Sequence, residues 1–305
     1  MSDRIAVTGA SGFVGRHLTL RASTLGWDVV GLVRSEAADR VVRQAGGRPV
    51  RPRGPEPDVW APALEGARAV VHLAQIGAER GGATYEAVNI GLTQRLIAAA
   101  RQAGVPRIIY FSGLGVAHYG LVRRCTNPYF LSKLAAEVEL YRSDREAVVF
   151  RPSYIVGPGD AFVAARLAEM AEGVVEQPGD GAYRLQPIAV GDAVALLLAA
   201  ALRPPSPCPT VLDLVGPEPV SYAELRERLA RVARAAGRAA DYRVHERPLP
   251  EVDRQASAGG YRGLSPDEVD CLLCDEISDP APLEALLGRS LTSLDDALAA
   301  AVGAG

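Results

Sequence analysis

Thr8-Gly9-Ala10-Ser11-Gly12-Phe13-Val14-Gly15 is the stretch on which the reading of this chain turns. A short apolar run, residues 4–8, leads into it, and a helix-like pattern over residues 13–25, stopped by Gly26, leads out. A strand, a glycine-rich turn and a helix in that order can cradle a phosphate. Gly9 permits the tight turn. Gly12 lets backbone approach a pyrophosphate with no Cβ in the way, and Gly15 lets the helix pack closely on the sheet. The helix start adds free N–H groups and a partial positive charge. Ser11, Phe13 and Val14 line the same turn and count with the glycines as cofactor-binding positions.

Outward from this turn, short runs rich in Val and Ile at 28–33, 69–74, 107–112 and 147–151 read as buried strands, with a weaker one at 49–51. Helical patterns at 86–103 and 128–141 lie between them. Strand and helix alternating at this spacing imply an α/β fold, a doubly wound parallel Rossmann sheet with helices on both faces. After Arg151 the pattern loosens into a smaller C-terminal α/β lobe. Ser221-Tyr222-Ala223-Glu224 and Ser265-Pro266-Asp267-Glu268 read there as capping boxes, and a last helix spans 294–302. The expected division is a nucleotide-binding domain over 1–155, to which strands from 180–200 can return, and a substrate lobe over 156–305.

Composition excludes several classes. The chain has 305 residues, 48% hydrophobic and 23% charged, which argues against disorder. A net charge of −3 leaves no basic excess for nucleic acid. The longest strongly apolar run, residues 193–202, is half of the roughly 20 a membrane span needs. The chain enters its first strand at once, with no signal-peptide pattern, and four scattered cysteines suit a reducing compartment, so a cytoplasmic protein is expected.

Of the 33 basic residues only Lys133 is lysine. Tyr129 stands four residues before it on a helical pattern that Pro128 suits as a start, so the two share a face. A phenol with a pKa of about 10 is a poor proton donor at neutrality. An adjacent ammonium favours the phenolate and brings the group into a useful range. The same ammonium can bond a nicotinamide ribose. At the end of the second strand stand Arg34 and Ser35, where a cofactor's ribose or its extra phosphate would lie. Arg34 can grip a phosphate through two N–H groups and Ser35 can donate a hydroxyl, so NADP(H) is expected over NAD(H), with NAD(H) as second choice.

The G-x-x-G-x-x-G spacing resembles the extended short-chain dehydrogenase/reductase superfamily, and the resemblance continues in order along residues 4–200. Val71-His72-Leu73-Ala74 resembles its fourth-strand motif beside the adenosine, which implies cofactor contacts from Leu73 and Ala74. Asn89-Ile90-Gly91-Leu92-Thr93 resembles its N-x-x-G-T helix start, and Tyr129-Phe130-Leu131-Ser132-Lys133 its Y-x-x-x-K. Arg151–Asp160 resembles its R-P-x-x-x-x-G-P-G-D, which implies cofactor contacts from Pro152 and Ser153. Pro178-Gly179-Asp180-Gly181 with Leu185-Gln186-Pro187-Ile188 resembles a narrower group, bacterial relatives of the nucleotide-binding accessory subunit of respiratory complex I. The family's third catalytic member is a hydroxyl after strand 5. Ser112 matches the first position of its usual Ser-Ser pair, while Gly113 stands where the second would be. The resemblance thus implies Tyr129, Lys133 and Ser112 as catalytic residues, a small-molecule substrate, and a homodimer.

Other residues receive plainer readings. His72 sits inside a buried strand and reads as a core histidine with a local hydrogen bond. Cys271-Leu272-Leu273-Cys274 has no second ligand pair nearby and reads as helix packing, with no metal site. Arg123 and Arg124 precede Tyr129 and are candidates for gripping an anionic substrate, and Gly81-Gly82 for a mobile loop over the pocket. Together these readings favour an NADP(H)-dependent oxidoreductase acting on a carbonyl or alcohol. The alternatives are a sugar-nucleotide epimerase or dehydratase, though no Asp-Glu pair follows Ser112, and a cofactor-binding accessory or sensor protein with little turnover, to which Gly113 also points.

Overall fold

The computed structural model describes residues 3–118, 127–238, 241–273 and 275–303. They form two compact units. The first carries β1 (Arg4–Thr8), α1 (Phe13–Thr24), β2 (Asp28–Leu32), α2 (Glu36–Gln44), β3 (Arg48–Val50), α3 (Pro57–Leu64), β4 (Ala69–His72), α4 (Gly91–Gln102), β5 (Arg107–Phe111), α5 (Pro128–Tyr141) and β6 (Glu146–Pro152). The second opens with β7 (Ile155–Val156), α6 (Ala161–Ala171), β8 (Val174–Pro178), β9 (Arg184–Leu185) and β10 (Ile188–Ala189). Residues 193–212 rejoin the first unit through α7 (Val190–Leu202) and β11 (Thr210–Leu214). The second unit then resumes with β12 (Val220–Ser221), α8 (Tyr222–Ala235), β13 (Arg243–Arg247), α9 (Leu249–Ser257), α10 (Pro266–Leu272), α11 (Ala281–Leu287) and α12 (Leu294–Gly303).

Seven strands form one sheet in the order β11-β6-β5-β4-β1-β2-β3, and every pair from β3 to β6 is parallel. This is the expected doubly wound Rossmann sheet. Strands β4 and β5 are buried along their whole length, so their near-continuous apolar runs follow from helices on both faces. The order reverses at β1, which lies between β2 and β4. Loops leaving the carboxyl ends there diverge and open the crevice where such sheets bind ligands. The register pairs Thr8 with His72 and His72 with Tyr110, so β1, β4 and β5 end at one edge.

Two helices of the first unit escape the sequence pattern. Helix α2 is short and highly charged, with an apolar side of only Ala38, Val41 and Val42, of which Val42 alone is fully buried, and its start is set by Ser35, whose hydroxyl accepts from the Ala38 N–H. Helix α3 holds Pro62 in its interior, a residue that reads as a breaker. The stretch read as one helix over 86–103 begins as a π-helical turn, Glu86–Ile90, before α4. The strand patterns over 28–33, 69–74 and 107–112 end at Leu32, His72 and Phe111. Helix α7 is tied down by Arg107, a buried side chain on β5. Its guanidinium donates to the carbonyls of Ala200 (2.7 Å), Ala201 (3.0 Å) and Arg203 (3.0 Å), and its charge is met by Glu146 at 2.7 Å.

In the second unit both expected capping boxes are present, at Ser221–Glu224 and Ser265–Glu268. Its core gathers Val156, Leu167, Leu229 and Leu298. Among the described residues no helix is long and apolar enough to cross a membrane.

The glycine turn is held by contact as much as by conformation. Gly9 has φ +69, where side chains are strained. A Cβ on Gly15 would lie 2.1 Å from the Gly9 carbonyl oxygen and 2.7 Å from Ala10 Cα. The close approach that requires Gly15 is therefore to the turn's own backbone rather than to the sheet. Replacing Gly15 with Ala is expected to cost about 3 kcal/mol by overpacking a backbone contact, read as a lower urea midpoint at unchanged m-value.

Candidate active site

Helix α1 begins without a capping side chain. Its cap is Gly12, no acid lies in its first turn, and a Cβ on Gly12 would touch only the Gly9 oxygen, at 3.2 Å. The first-turn N–H groups and the positive helix end are left for an anion, which is what a dinucleotide's pyrophosphate needs. Ser11 and Val14 are half-buried beside this opening. The Phe13 ring packs against the Arg16 guanidinium, 5.6 Å from its centroid, and edge-on to His17.

The turn is tied to β4 by a buried polar relay. The Ala74 N–H donates to Thr8 Oγ1 (3.3 Å), which lies 2.7 Å from His72 Nδ1. His72 Nε2 lies 3.1 Å from Thr93 Oγ1, and that hydroxyl gives its one hydrogen to the Asn89 carbonyl. Thr93 must then accept from Nε2–H, so Nδ1 accepts from Thr8. His72 is neutral in this arrangement: burial first, and the nearby Lys133 charge second, push its pKa down to about 3. It is the core histidine its strand position implied.

Asn89 continues the relay to the helix that carries Tyr129 and Lys133. Its side-chain oxygen accepts from the Ile76 N–H at 2.9 Å, and its amide donates to the Ile76 carbonyl and to Ser132 Oγ. The segment after β4 is thereby clamped against α5. Gln75, which this clamp positions, was not read as a site residue from the sequence; it directly follows the Val71–Ala74 motif, which was the one local signal that could have pointed to it. Its Oε1 accepts from Tyr129 Oη at 3.0 Å and from Lys133 Nζ at 2.7 Å. The two side chains predicted to work together thus share one acceptor.

Lys133 is 1% exposed. Its ammonium also donates to the Phe111 carbonyl at 2.5 Å and sits 4.4 Å from the Tyr110 ring centroid. Burial lowers its pKa to about 7, against an opposing pull from Glu137, one helical turn on. Glu137 is itself fully buried and held as a carboxylate partner by Arg151 (2.6 and 3.0 Å) and by Tyr141 Oη at 2.8 Å.

Ser112 follows β5 directly. Its N–H donates to the Phe150 carbonyl, and its hydroxyl is buried with no hydrogen-bond partner among the described residues. Leaving such a group unpaired costs about 1–3 kcal/mol. The Gly113 position has a steric explanation. A Cβ there would lie 3.1 Å from Phe130 Cε1, and one on Gly115 would lie 2.3 Å from Phe130 Cζ. The buried Phe130 ring thus crowds a side chain at Gly113 mildly and excludes one at Gly115.

The remaining predicted positions fall as follows. Leu73 is half-buried and its N–H donates to the Thr8 carbonyl, while Ala74 abuts Gly9, whose added Cβ would meet the Ala74 nitrogen at 2.9 Å. Arg34 is exposed at the end of β2 and has no ion pair or hydrogen bond among the described residues, and Ser35 caps α2 beside it. Pro152 ends β6. Ser153 donates its N–H to the Leu214 carbonyl and accepts from the Gln186 N–H, both structural bonds. Gly81 and Gly82 form a tight turn closed by an Arg80–Ala83 bridge. Arg123, Arg124 and Cys274 lie outside the described residues.

Residues 5–212 match the model of the NAD dependent epimerase/dehydratase family. The chain is similar to the 2-alkyl-3-oxoalkanoate reductase of Stenotrophomonas maltophilia (strain K279a), 29% identical over 67% of this chain and 68% of that one. It is also similar to the mitochondrial NADH dehydrogenase (ubiquinone) 1 alpha subcomplex subunit 9 of Arabidopsis thaliana, 26% identical over 72% of this chain and 56% of that one. That second likeness agrees with the narrower resemblance drawn from the motifs. The matches cover from 40% to 68% of the curated relatives' lengths. In fold the chain is similar to UDP-glucuronic acid 4-epimerase from Bacillus cereus, solved with UDP-glucuronic acid and NAD, with a TM-score of 0.72 over 99% of this chain and 98% of that one at 21% identity.

The buried lysine has a measurable consequence for stability. Its pKa falls from 10.5 in the unfolded chain to about 7 in the fold, so between those values the unfolded state binds more protons and native stability rises with pH. The full penalty, at most about 5 kcal/mol, applies below about pH 7. Lys133→Met is therefore expected to gain more stability at about pH 6 than at about pH 9, by roughly 2–3 kcal/mol, in urea titrations run at both. An equal change at the two pH values would mean the native amine is not desolvated.

Proposed function

The chain belongs to the NAD-dependent epimerase/dehydratase family, and from that premise we propose that it is an NADP(H)-dependent oxidoreductase acting on a carbonyl or alcohol. The observation that carries the reading is the single amide oxygen gripped by both Tyr129 Oη and Lys133 Nζ. A substrate oxygen taking that place would receive the phenol's proton as it gains electrons. The nicotinamide supplies or takes the hydride when bound.

The chain's own residues have distinct tasks in this reading. Tyr129 holds and passes the proton at Oη. Lys133, as ammonium, favours the phenolate that remains. Ser112, whose buried hydroxyl has no partner among the described residues, donates to the same substrate oxygen. Phe130 crowds the Gly113 position, and Ser112 is the one hydroxyl used there. The glycine turn and Ser112 follow strands two places apart in the sheet, about 10 Å, a span suited to the distance between a pyrophosphate and a nicotinamide.

Arg34 supports NADP(H) over NAD(H). It has no partner among the described residues, it stands where the adenosine ribose would end, and the first turn of α2 behind Ser35 adds N–H groups. The likeness to a 2-alkyl-3-oxoalkanoate reductase makes 3-oxoacyl compounds the first substrates to try. The fold likeness to a sugar-nucleotide epimerase leaves that chemistry as the alternative, marked by oxidised cofactor retained through purification.

Two measurements test the reading. Tyr129→Phe is expected to lower kcat by about a thousand-fold in an NADPH-coupled assay, since general acid catalysis is worth that order. Arg34→Ala is expected to weaken NADPH binding about tenfold or more, the loss of one charge-assisted phosphate contact, and to leave NADH binding within a factor of about two. Tighter binding of NADH than NADPH by the unaltered protein would overturn the cofactor assignment.

A further inference from the structure

Lys133 has no donor left to offer a ligand. One N–H goes to the Phe111 carbonyl, one to Gln75 Oε1, and its remaining side faces the Tyr110 ring. The Phe111 carbonyl belongs to the end of β5 and the Tyr110 ring is buried within the core, so neither can leave. Gln75 differs from both. It is an exposed residue whose Nε2 has no hydrogen-bond partner among the described residues, and only its Oε1 is engaged. The backbone next to it is pinned on both sides of Ile76 by Asn89. Rotation about the Gln75 side chain is therefore the one small motion that uncovers the ammonium.

We propose that the Gln75 side-chain oxygen is an internal stand-in for the ligand oxygens that the pair holds during turnover, the substrate's at Tyr129 and a nicotinamide ribose hydroxyl at Lys133, and that Gln75 must swing out before either can bind. This rests on the oxidoreductase reading above. Gln75 is then a positioning residue. It keeps the pair in register with its protons aimed at one point, shields the lysine from water, and sets a threshold that a ligand must meet with an equally good acceptor. Its motion is a rotamer change on the surface and costs little time beside turnover.

The chain's one lysine makes the test specific. Acetic anhydride labelling of Lys133, followed by mass mapping across about pH 6 to 9, reports its exposure and charge, and the fluorescence of added NADPH reports binding. Glu137, His72, Tyr110 and Tyr129 are the titratable groups facing the ammonium, and they are the same in every variant. Gln75→Ala is expected to speed labelling and to tighten NADPH binding, each about fivefold, because a competing hydrogen bond is gone. Gln75→Glu is expected to do the reverse, raising the pH midpoint of labelling and weakening NADPH, because a carboxylate grips the ammonium harder. NADPH should protect Lys133 in both the unaltered protein and Gln75→Ala. Unchanged labelling and unchanged binding in a folded Gln75→Ala protein would overturn the proposal. Should that variant not fold, Gln75→Asn, one methylene too short to bridge both donors, decides by the same two readouts. If the unaltered protein binds neither NADPH nor NADH, the oxidoreductase reading fails, while labelling still decides whether Gln75 covers the lysine.

Discussion

An ammonium group held out of water at the end of β5 is the constraint around which the first unit is arranged. A bare charge in such a place would lose its proton or unfold its surroundings. Here a strand-end carbonyl, an aromatic face and a carboxylate one helical turn away each return part of what hydration would have supplied. The carboxylate, Glu137, is in turn secured by the Arg151 guanidinium and the Tyr141 hydroxyl. A guanidinium could not replace the lysine, because its planar fork needs partners spread over a wider arc. In a chain that otherwise uses arginine throughout, this is a physical reason for one lysine.

The two ends of the crevice are joined through three consecutive residues. Leu73 and Ala74 touch the end of β1 and the glycine turn, and Gln75 touches Tyr129 and Lys133. The stretch is braced from beneath by a neutral histidine between two threonines and from the side by Asn89. Such a relay is stable only if every member is satisfied, since an unpaired polar group in a low-dielectric interior is costly. It is satisfied in this fold with one assignment of protons.

Ser112, Gly113 and Phe130 exchange chemistry for packing. The ring of Phe130 stands edge-on to Tyr129 at 5.2 Å between centroids and fills the volume above Gly113 and Gly115. It packs against the tyrosine and leaves little room for a side chain at either glycine. A glycine that looks in sequence like a missing hydroxyl is, in space, a seat for the ring that packs on Tyr129.

Local signals were enough to locate much of this protein. Val and Ile runs bounded by turns marked the strands, a glycine turn between strand and helix marked the phosphate end, and Ser-x-x-Glu marked two helix starts that the structure reproduces. The four-residue spacing alone puts Tyr129 and Lys133 on one helical face. These features are legible because each depends on residues within a turn or two of one another. What only tertiary structure decided depends on residues far apart in sequence: Gln75 beside Tyr129, Thr8 against His72, Phe130 over Gly113, and the return of 193–212 to the sheet under the hold of Arg107. Burial and the sharing of one acceptor arise when distant segments converge, so no local pattern announces them, and the charge state of Lys133 is set there and nowhere earlier.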